Sequence, residues 1–354
     1  MVFVENNITG GFMTYVICTH HTTESHQSNS KKTTDGLTDY SARDKPWDVH
    51  RAQAQAVQAI YGAVEDFERY AERISQCSGV LRFGMNVDPE TGEIGLKLRE
   101  AQFCRVRHCP VCQWRRSLMW LARFYQSLPE IQQAHPKARW LFLTLTVRNP
   151  DITDLRATLQ AMNQAWQRLI KRKEFKHVTG WIRTTEVTRG KDGSAHPHFH
   201  CLLMVASGYF AGKNYVTQAR WTELWQECAR LDYTPMVDVR AVKDKAPKGE
   251  SDPDPIAGLR KAAAETLKYA VKPSDMTDDP EWFIEMTRQV HRLRFVATGG
   301  ALKDVLRVDE ETDQDMVLAD EPATQQDDGA RLAFSWRPSE LRYRRFERGD
   351  KAAD

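Results

Sequence analysis

His196-Pro197-His198-Phe199-His200-Cys201-Leu202-Leu203-Met204-Val205 reads as a β-strand, and that reading decides the architecture. Side chains alternate faces along a strand, so His196, His198 and His200 project one way and apolar residues the other. Neutral imidazole binds divalent metal through a ring nitrogen, and two on one face of a rigid strand are spaced to do so. Upstream, Thr179–Thr188 has the same β character, and Gly190–Ser194 supplies a turn between the two runs, which predicts an antiparallel hairpin. Trp140–Val147, where Thr144 and Thr146 alternate with Leu143, Leu145 and Val147, is a third strand. Two helical runs are interleaved with these. Thr153–Lys173 carries Leu155, Leu159, Met162, Trp166 and Leu169 on its inner side, and Gly258–Lys272 stops at Pro273. Strands joined by hairpins among helices give an α+β fold with a central antiparallel sheet flanked by helices.

Toward the N-terminus, Ala56, Ile60, Val64, Phe67, Ala71 and Ile74 recur at helical spacing and predict one amphipathic helix from about 49 to 75. Short strand-like runs flank a turn at Pro89–Glu93, and Gln113–Leu128 reads as a helix ending near Pro129. Lys243–Pro255 is a charged loop. Residues 1–46, polar and aperiodic from Thr19 onward, are expected to be disordered. A helical, cysteine-rich region follows at 47–130, then the main α+β domain at 131–303 and a charged tail at 304–354.

None of the 354 residues falls in an apolar run of the ~18 residues that a membrane span needs, and the short patch Phe12–Cys18 lacks the basic lead-in of a signal peptide. Seven cysteines, odd in number and clustered, point to a reducing, cytoplasmic compartment and to metal rather than disulfides. The net charge of +2 is unevenly spread. Asp304–Asp328 holds ten acids against Arg307, which leaves 49 basic and 38 acidic residues elsewhere, a balance of +11. Such a body suits a polyanionic partner.

Cys104-x4-Cys109-x2-Cys112 is a knuckle whose thiolates converge on one ion, and Cys77 at the end of the first helix completes a tetrahedral set for Zn²⁺. His108 is an alternative fourth ligand. A metal-free thiol cluster is the competing reading, but closely spaced thiols are an oxidation liability. Arg105, Arg107, Arg115 and Arg116 crowd the knuckle and are expected to meet phosphate. In the last helix Glu265 and Tyr269 sit four apart on one face, with Lys268 and Lys272 as a second such pair. A phenol is a poor nucleophile unless positive charge or a metal-polarised electrophile lies nearby. Taken alone, that pair is what any amphipathic helix shows.

The order of three segments is more specific. Phe142-Leu143-Thr144-Leu145-Thr146-Val147-Arg148-Asn149, then His196–His200, then Lys268-Tyr269-Ala270-Val271-Lys272 resemble the three motifs of rolling-circle plasmid replication initiators, within the HUH endonuclease superfamily. Cys109–Arg116, Trp166–Leu169 and Glu186–Thr188 resemble that family too, so the likeness covers roughly residues 75 to 310. One tyrosine with a glutamate a turn before it resembles the single-tyrosine subgroup. The resemblance implies a ferredoxin- or RRM-like core with the histidine strand central, residues 131–303 being the nuclease domain. It implies that Tyr269 nicks a plasmid origin, single-stranded or hairpin, leaving a 5′-phosphotyrosine and a 3′-hydroxyl primer. His198 and His200, less firmly His196, would hold Mg²⁺ or Mn²⁺ with Glu186 as oxygen ligand. Lys272 would assist catalysis, Lys268 would contact DNA, and Glu265 would activate water to end the cycle. Host helicase and replication machinery are implied partners.

Two other readings are open. Among HUH enzymes, relaxases place the tyrosine before the histidines, and single-strand transposases are shorter and lack the knuckle. A non-catalytic zinc module that binds nucleic acid would tolerate loss of Tyr269.

Overall fold

The histidine strand is the middle strand of a five-stranded antiparallel sheet. A computed structural model of the chain describes residues 35–87, 94–243, 256–268, 271–307, 311–318 and 331–346, all of one compact unit that begins at Asp35. The first 34 residues, the turn at 89–93 and all but the start of the loop at 243–255 lie outside them. In chain order the elements are α1 (Leu37–Tyr40), α2 (Lys45–Gly62), α3 (Glu68–Ser75), β1 (Val80–Val87), β2 (Ile94–Ala101), α4 (Pro110–Ala134), β3 (Arg139–Thr146), α5 (Leu155–Leu169), β4 (Val178–Arg189) and β5 (Ala195–Val205). Then come α6 (Gln218–Ala229), β6 (Val237–Ala241), α7 (Ala257–Thr266), α8 (Pro273–Thr277), α9 (Pro280–Gln289), β7 (Val296–Gly300), α10 (Asp313–Val317), β8 (Arg331–Arg337) and β9 (Arg342–Arg345). The main sheet runs β6-β3-β5-β4-β7, and a second antiparallel sheet runs β2-β1-β8-β9.

The hairpin between β4 and β5 closes through Gly190–Ser194, with Gly193 at φ 83°. That left-handed conformation costs glycine nothing and any side chain something. Thr184 pairs with His200 and Glu186 with His198 across this hairpin, while Thr144 and Thr146 of β3 pair with the same two histidines from the other side. Directly opposed residues share a face. One face of the sheet therefore carries Thr144, Thr146, Thr184, Glu186 and the three histidines in adjoining rows.

Both faces are covered, which explains why the second half of β5 is an unbroken apolar run. Phe199, Cys201, Leu203 and Val205 join Leu141, Leu143 and Leu145 in a core filled by Leu159, Met162 and Trp166 of α5 and Trp221, Leu224 and Trp225 of α6. On the histidine face, Ile182, Leu202 and Met204 lie under Phe124, Leu128 and Ile131 of α4 and Leu259, Ala262 and Ala263 of α7. The small alanines let α7 approach closely, and the Thr184 hydroxyl donates to the Thr266 carbonyl at 2.5 Å, fixing the helix end to β4 beside the histidine row.

Local expectations differ from the structure at five places. The helix expected over 49–75 is two helices, broken by an extended Val64 after Gly62. Pro129 lies inside α4, which runs on to Ala134. One hydrogen bond lost to proline is outweighed by burying Leu128 and Ile131 on either side of it. The helix expected over 258–272 ends at Thr266, whose hydroxyl turns back to the Ala262 carbonyl and whose own carbonyl is taken by Thr184. Lys272 is extended, as the residue before Pro273 prefers. Residues 35–46, assigned to the disordered segment, include α1 and the start of α2.

The fifth difference is the C-terminal segment. Residues assigned to the charged tail contribute β8, paired with β1, and β9. Alternation explains the pairing: Phe334 and Trp336 are buried on either side of the half-buried Ser335, and Tyr343 is buried between Arg342 and Arg344. The Tyr343 hydroxyl donates to the Ser78 carbonyl at 2.6 Å, directly after Cys77. No helix among the described residues is long and apolar enough to cross a membrane. Tyr343→Phe should orphan the buried Ser78 carbonyl and lower unfolding free energy by about 1–3 kcal/mol, measured by urea denaturation. An unchanged midpoint would show that this hydrogen bond does not tie β9 to the cysteine end of the molecule.

Candidate functional site

Glu186, His198 and His200 converge because strand register leaves them no alternative. Glu186 Oε2 lies 3.1 Å from His198 Nε2 and 2.9 Å from His200 Nε2, and the three residues are 4, 8 and 7% exposed. The Nδ1–H of His198 donates to the His196 carbonyl at 3.2 Å, since a carbonyl only accepts, so Nε2 turns a lone pair to the carboxylate in the neutral ring and donates to it in the protonated one. His200 Nδ1 sits 3.4 Å from the Thr144 hydroxyl, and Phe142 stacks on its ring at 5.5 Å. Lone pairs opposed at such distances require positive charge among them, from protons or from a metal ion. Histidine ligands oriented through their other nitrogen are the usual furniture of metal sites. The three side chains form a group able to hold an ion, with donor atoms within 4.8 Å of one another.

Lys268 completes the electrostatics. Its ammonium lies 3.1 Å from Glu186 Oε2 and 2.7 Å from Glu265 Oε1, so one lysine joins the strand carboxylate to the one on α7. Burial alone would raise the Glu186 carboxyl, but hydrogen bonds from His198 and His200, with the charges of His198 and Lys268, hold it well below the ordinary carboxylate range.

The second cluster is built where three elements end. Cys77 follows α3, Cys104 follows β2, Cys109 caps the N-terminus of α4, and Cys112 is in its first turn. Ser78 and Arg105, the residues after Cys77 and Cys104, both have left-handed backbone, at φ 51° and 55°, which turns the chain sharply away from each sulfur. Cys77 and Cys104 Sγ lie 3.6 and 3.5 Å from Cys112 Sγ, and Cys109 Sγ lies 3.7 Å from that of Cys77. Hydrogen bonds from Cys109, Cys112 and Cys77 push Cys104 far down, toward thiolate, and burial pushes Cys109 up. These four form a second group able to hold a metal ion.

The other sequence-derived candidates fall into three sets. His196 is on the histidine face but outside the three-residue group, its Nδ1 2.6 Å from Asn149 Oδ1. Lys272 is exposed, and its charge, after burial and His198, helps push the His196 imidazole down. Tyr269 lies outside the described residues. The four knuckle arginines are engaged within the protein. Arg115 is fully buried with its guanidinium on the Met316 and Val317 carbonyls, and Arg107 donates to the Val290 and Leu293 carbonyls. Arg116 grips the Glu311 carboxylate, and Arg105 pairs with Asp313. His108 is buried outside the cysteine cluster, its ring edge-on to Phe283. Sequence reasoning missed the bridge made by Lys268, the anchor from Thr184, and the orienting roles of Thr144 and Asn149. Only Thr144 carried a signal, its even spacing with Thr146 opposite the histidines.

The profile of a family described as replication proteins matches residues 95–344. "Protein rep" of Streptococcus pneumoniae is 32% identical over 309 residues, 85% of this chain and 92% of its own length. "Protein rep" of Bacillus amyloliquefaciens is 35% identical over 328 residues (86 and 94%), and that of Lactiplantibacillus plantarum 36% over 295 (80 and 89%). No solved structure matches the chain.

Burial, then the charges of Arg107 and Arg116, pushes the His108 imidazole down to about 3. The unfolded chain takes up that proton near pH 6.5 and the folded one refuses it, so stability should fall with acidification between about 6.5 and 3, at up to ~1.4 kcal/mol per pH unit. His108→Phe should flatten that limb of the stability profile in urea titrations. Identical profiles would mean His108 is not buried neutral.

Proposed function

The chain belongs to the replication-protein family, and from that premise we propose that it starts and ends rolling-circle replication of a plasmid by nicking one strand of the origin. The reaction is tyrosine transesterification, in the manner of single-tyrosine HUH endonucleases. One observation carries this reading: Glu186, His198 and His200 converge, and Lys268, the residue before Tyr269 in the chain, reaches the same carboxylate oxygen.

Tyr269 is the nucleophile. Its phenolic oxygen bonds to the scissile phosphorus, the bond from phosphorus to the 3′ oxygen breaks, and the proton released by the phenol balances the one taken up by the leaving oxygen. The products are a 5′-phosphotyrosine and a 3′-hydroxyl that primes synthesis. Two imidazole nitrogens and a buried carboxylate oxygen suit Mg²⁺ or Mn²⁺ completed by further oxygen ligands, and the ion, when bound, polarises the scissile phosphate. Lys268 and Lys272 flank Tyr269 in sequence and supply the charge that favours phenolate. Glu265, tethered by Lys268, takes the proton of the water that later hydrolyses the phosphotyrosine. Origin DNA, single-stranded or extruded as a hairpin, is the substrate, and host helicase and replication machinery extend the primer.

The cysteine cluster holds structural Zn²⁺ in this reading. Thiolates about 2.3 Å from a tetrahedral ion stand ~3.8 Å apart, close to the 3.5–3.7 Å of the sulfur pairs here.

Tyr269→Phe should cut nicking of a labelled origin oligonucleotide by at least ~10³-fold, and wild-type cleavage by that variant would sink the proposal. Glu265→Ala should still nick but accumulate covalent peptide–DNA adduct on denaturing gels; normal adduct turnover would remove Glu265 from the closing step. EDTA, His198→Ala or His200→Ala should stop cleavage while far-UV circular dichroism stays unchanged. Cys109→Ala should lose one equivalent of zinc by elemental analysis and several kcal/mol of stability; a variant melting like wild type would exclude a structural metal.

A further inference from the structure

Between the cysteine knuckle and the His–Glu site lies a cavity of about 430 Å³ lined by Arg105, Arg107, Arg116, Lys268, Arg294 and Glu311, with Phe295 at its wall. Its volume is in the range of ligand pockets, and its lining pairs five cations with one acid. The charges are unequally compensated. Lys268 is shared between Glu186 and Glu265, and Arg105 is held by Asp313. Arg107 lies over the Phe295 ring at 4.9 Å and donates at 3.1 and 2.6 Å to the Val290 and Leu293 carbonyls, neutral acceptors that fix its position, and among the described residues no carboxylate pairs with it. Arg294 is exposed and, among the described residues, meets no carboxylate. Among the described residues, two guanidinium charges thus line the cavity without a carboxylate partner.

Arg116 shows what the cavity is shaped to take. Its Nε and Nη2 grip the two Glu311 carboxylate oxygens at 2.7 and 2.8 Å. That fork fits the two non-bridging oxygens of a phosphodiester equally well, since both anions present two oxygens sharing one negative charge. Lys268 belongs both to this lining and to the His–Glu site, so an anion seated here is a near neighbour of the nicking chemistry.

We propose that the cavity seats a backbone phosphodiester of the DNA strand next to the nick, and that Glu311 is the carboxylate which occupies Arg116 until the strand displaces it. The identity of the polyanion rests on the nickase reading; the displacement itself does not. Glu311 thereby works as an internal competitor, weakening binding to any strand too short or too poorly positioned to reach Arg107 and Arg294 as well.

The test measures binding without cleavage. The full-length protein as purified, with no added Mg²⁺ or Mn²⁺, is titrated with fluorescein-labelled oligothymidylate across a salt series and followed by anisotropy. Arg294→Glu, a change at an exposed position that folding tolerates, should raise Kd about 10-fold and reduce the slope of log K against log salt by about one. Glu311→Gln should tighten binding several-fold at low salt, with a melting curve to confirm that it folds. Both variants binding within twofold of wild type with the same slope would overturn the proposal. If binding shifts as expected but wild type never nicks its origin, the cavity assignment stands and the nickase reading fails.

Discussion

The site depends on one buried oxygen. Glu186 Oε2 accepts from, or opposes, three nitrogens at 2.9–3.1 Å: His198 Nε2, His200 Nε2 and Lys268 Nζ. A carboxylate this deep in the protein is tolerated only when its neighbours neutralise it, and removing one partner from such a set costs more than the set contributes whole. Each partner arrives on a different kind of support. The histidines come from the adjacent strand, where pairing fixes their height to within a fraction of a residue, and the lysine comes from the segment just after α7, whose end is bolted to β4 through Thr184 and Thr266. The fold's main task is to keep those two supports in register while α5 and α6 fill the opposite face of the sheet.

Much of that arrangement was legible in advance, for a physical reason. Period-two alternation with a glycine-bearing turn predicts a hairpin and a row of histidines on one face, whereas Glu186 entered through the family resemblance, because the cross-strand register that sets it beside His198 is not written in either strand alone. The clustering of Cys104, Cys109 and Cys112 was legible because spacing within a knuckle is local, and Cys77 joins them from the end of α3. The boundaries of α2, α3, α4 and α7 were not. The last two are decided by contacts remote in sequence: the burial of Leu128 and Ile131 that carries α4 past Pro129, and the Thr184 hydroxyl that ends α7 at Thr266. Strands β6 and β7 also escaped notice, because Val237–Ala241 and Val296–Gly300 are short, half-polar edge strands.

The acidic segment shows most clearly why local reading fails. Glu311, Asp313 and Asp315 fall in the acidic stretch assigned to a charged tail, yet they meet Arg116, Arg105 and Arg123 in three ion pairs. Roughly 200 residues of intervening chain separate the partners. No window-based pattern carries that complementarity. It also means that the knuckle arginines, read as DNA contacts, are a matched set whose charge the protein itself already balances in part.

The pairing of β1 with β8 has a consequence for how the polypeptide is made. Arg82 faces Ala333 across that ladder, so a strand finished early in translation waits for a partner that leaves the ribosome some 250 residues later. Until then β1 offers one open edge, the kind of backbone that invites wrong neighbours. The histidine-bearing sheet is complete by residue 300 and owes nothing to that late arrival. A nascent chain can therefore assemble its Glu186–His198–His200 group first and seal its cysteine end last.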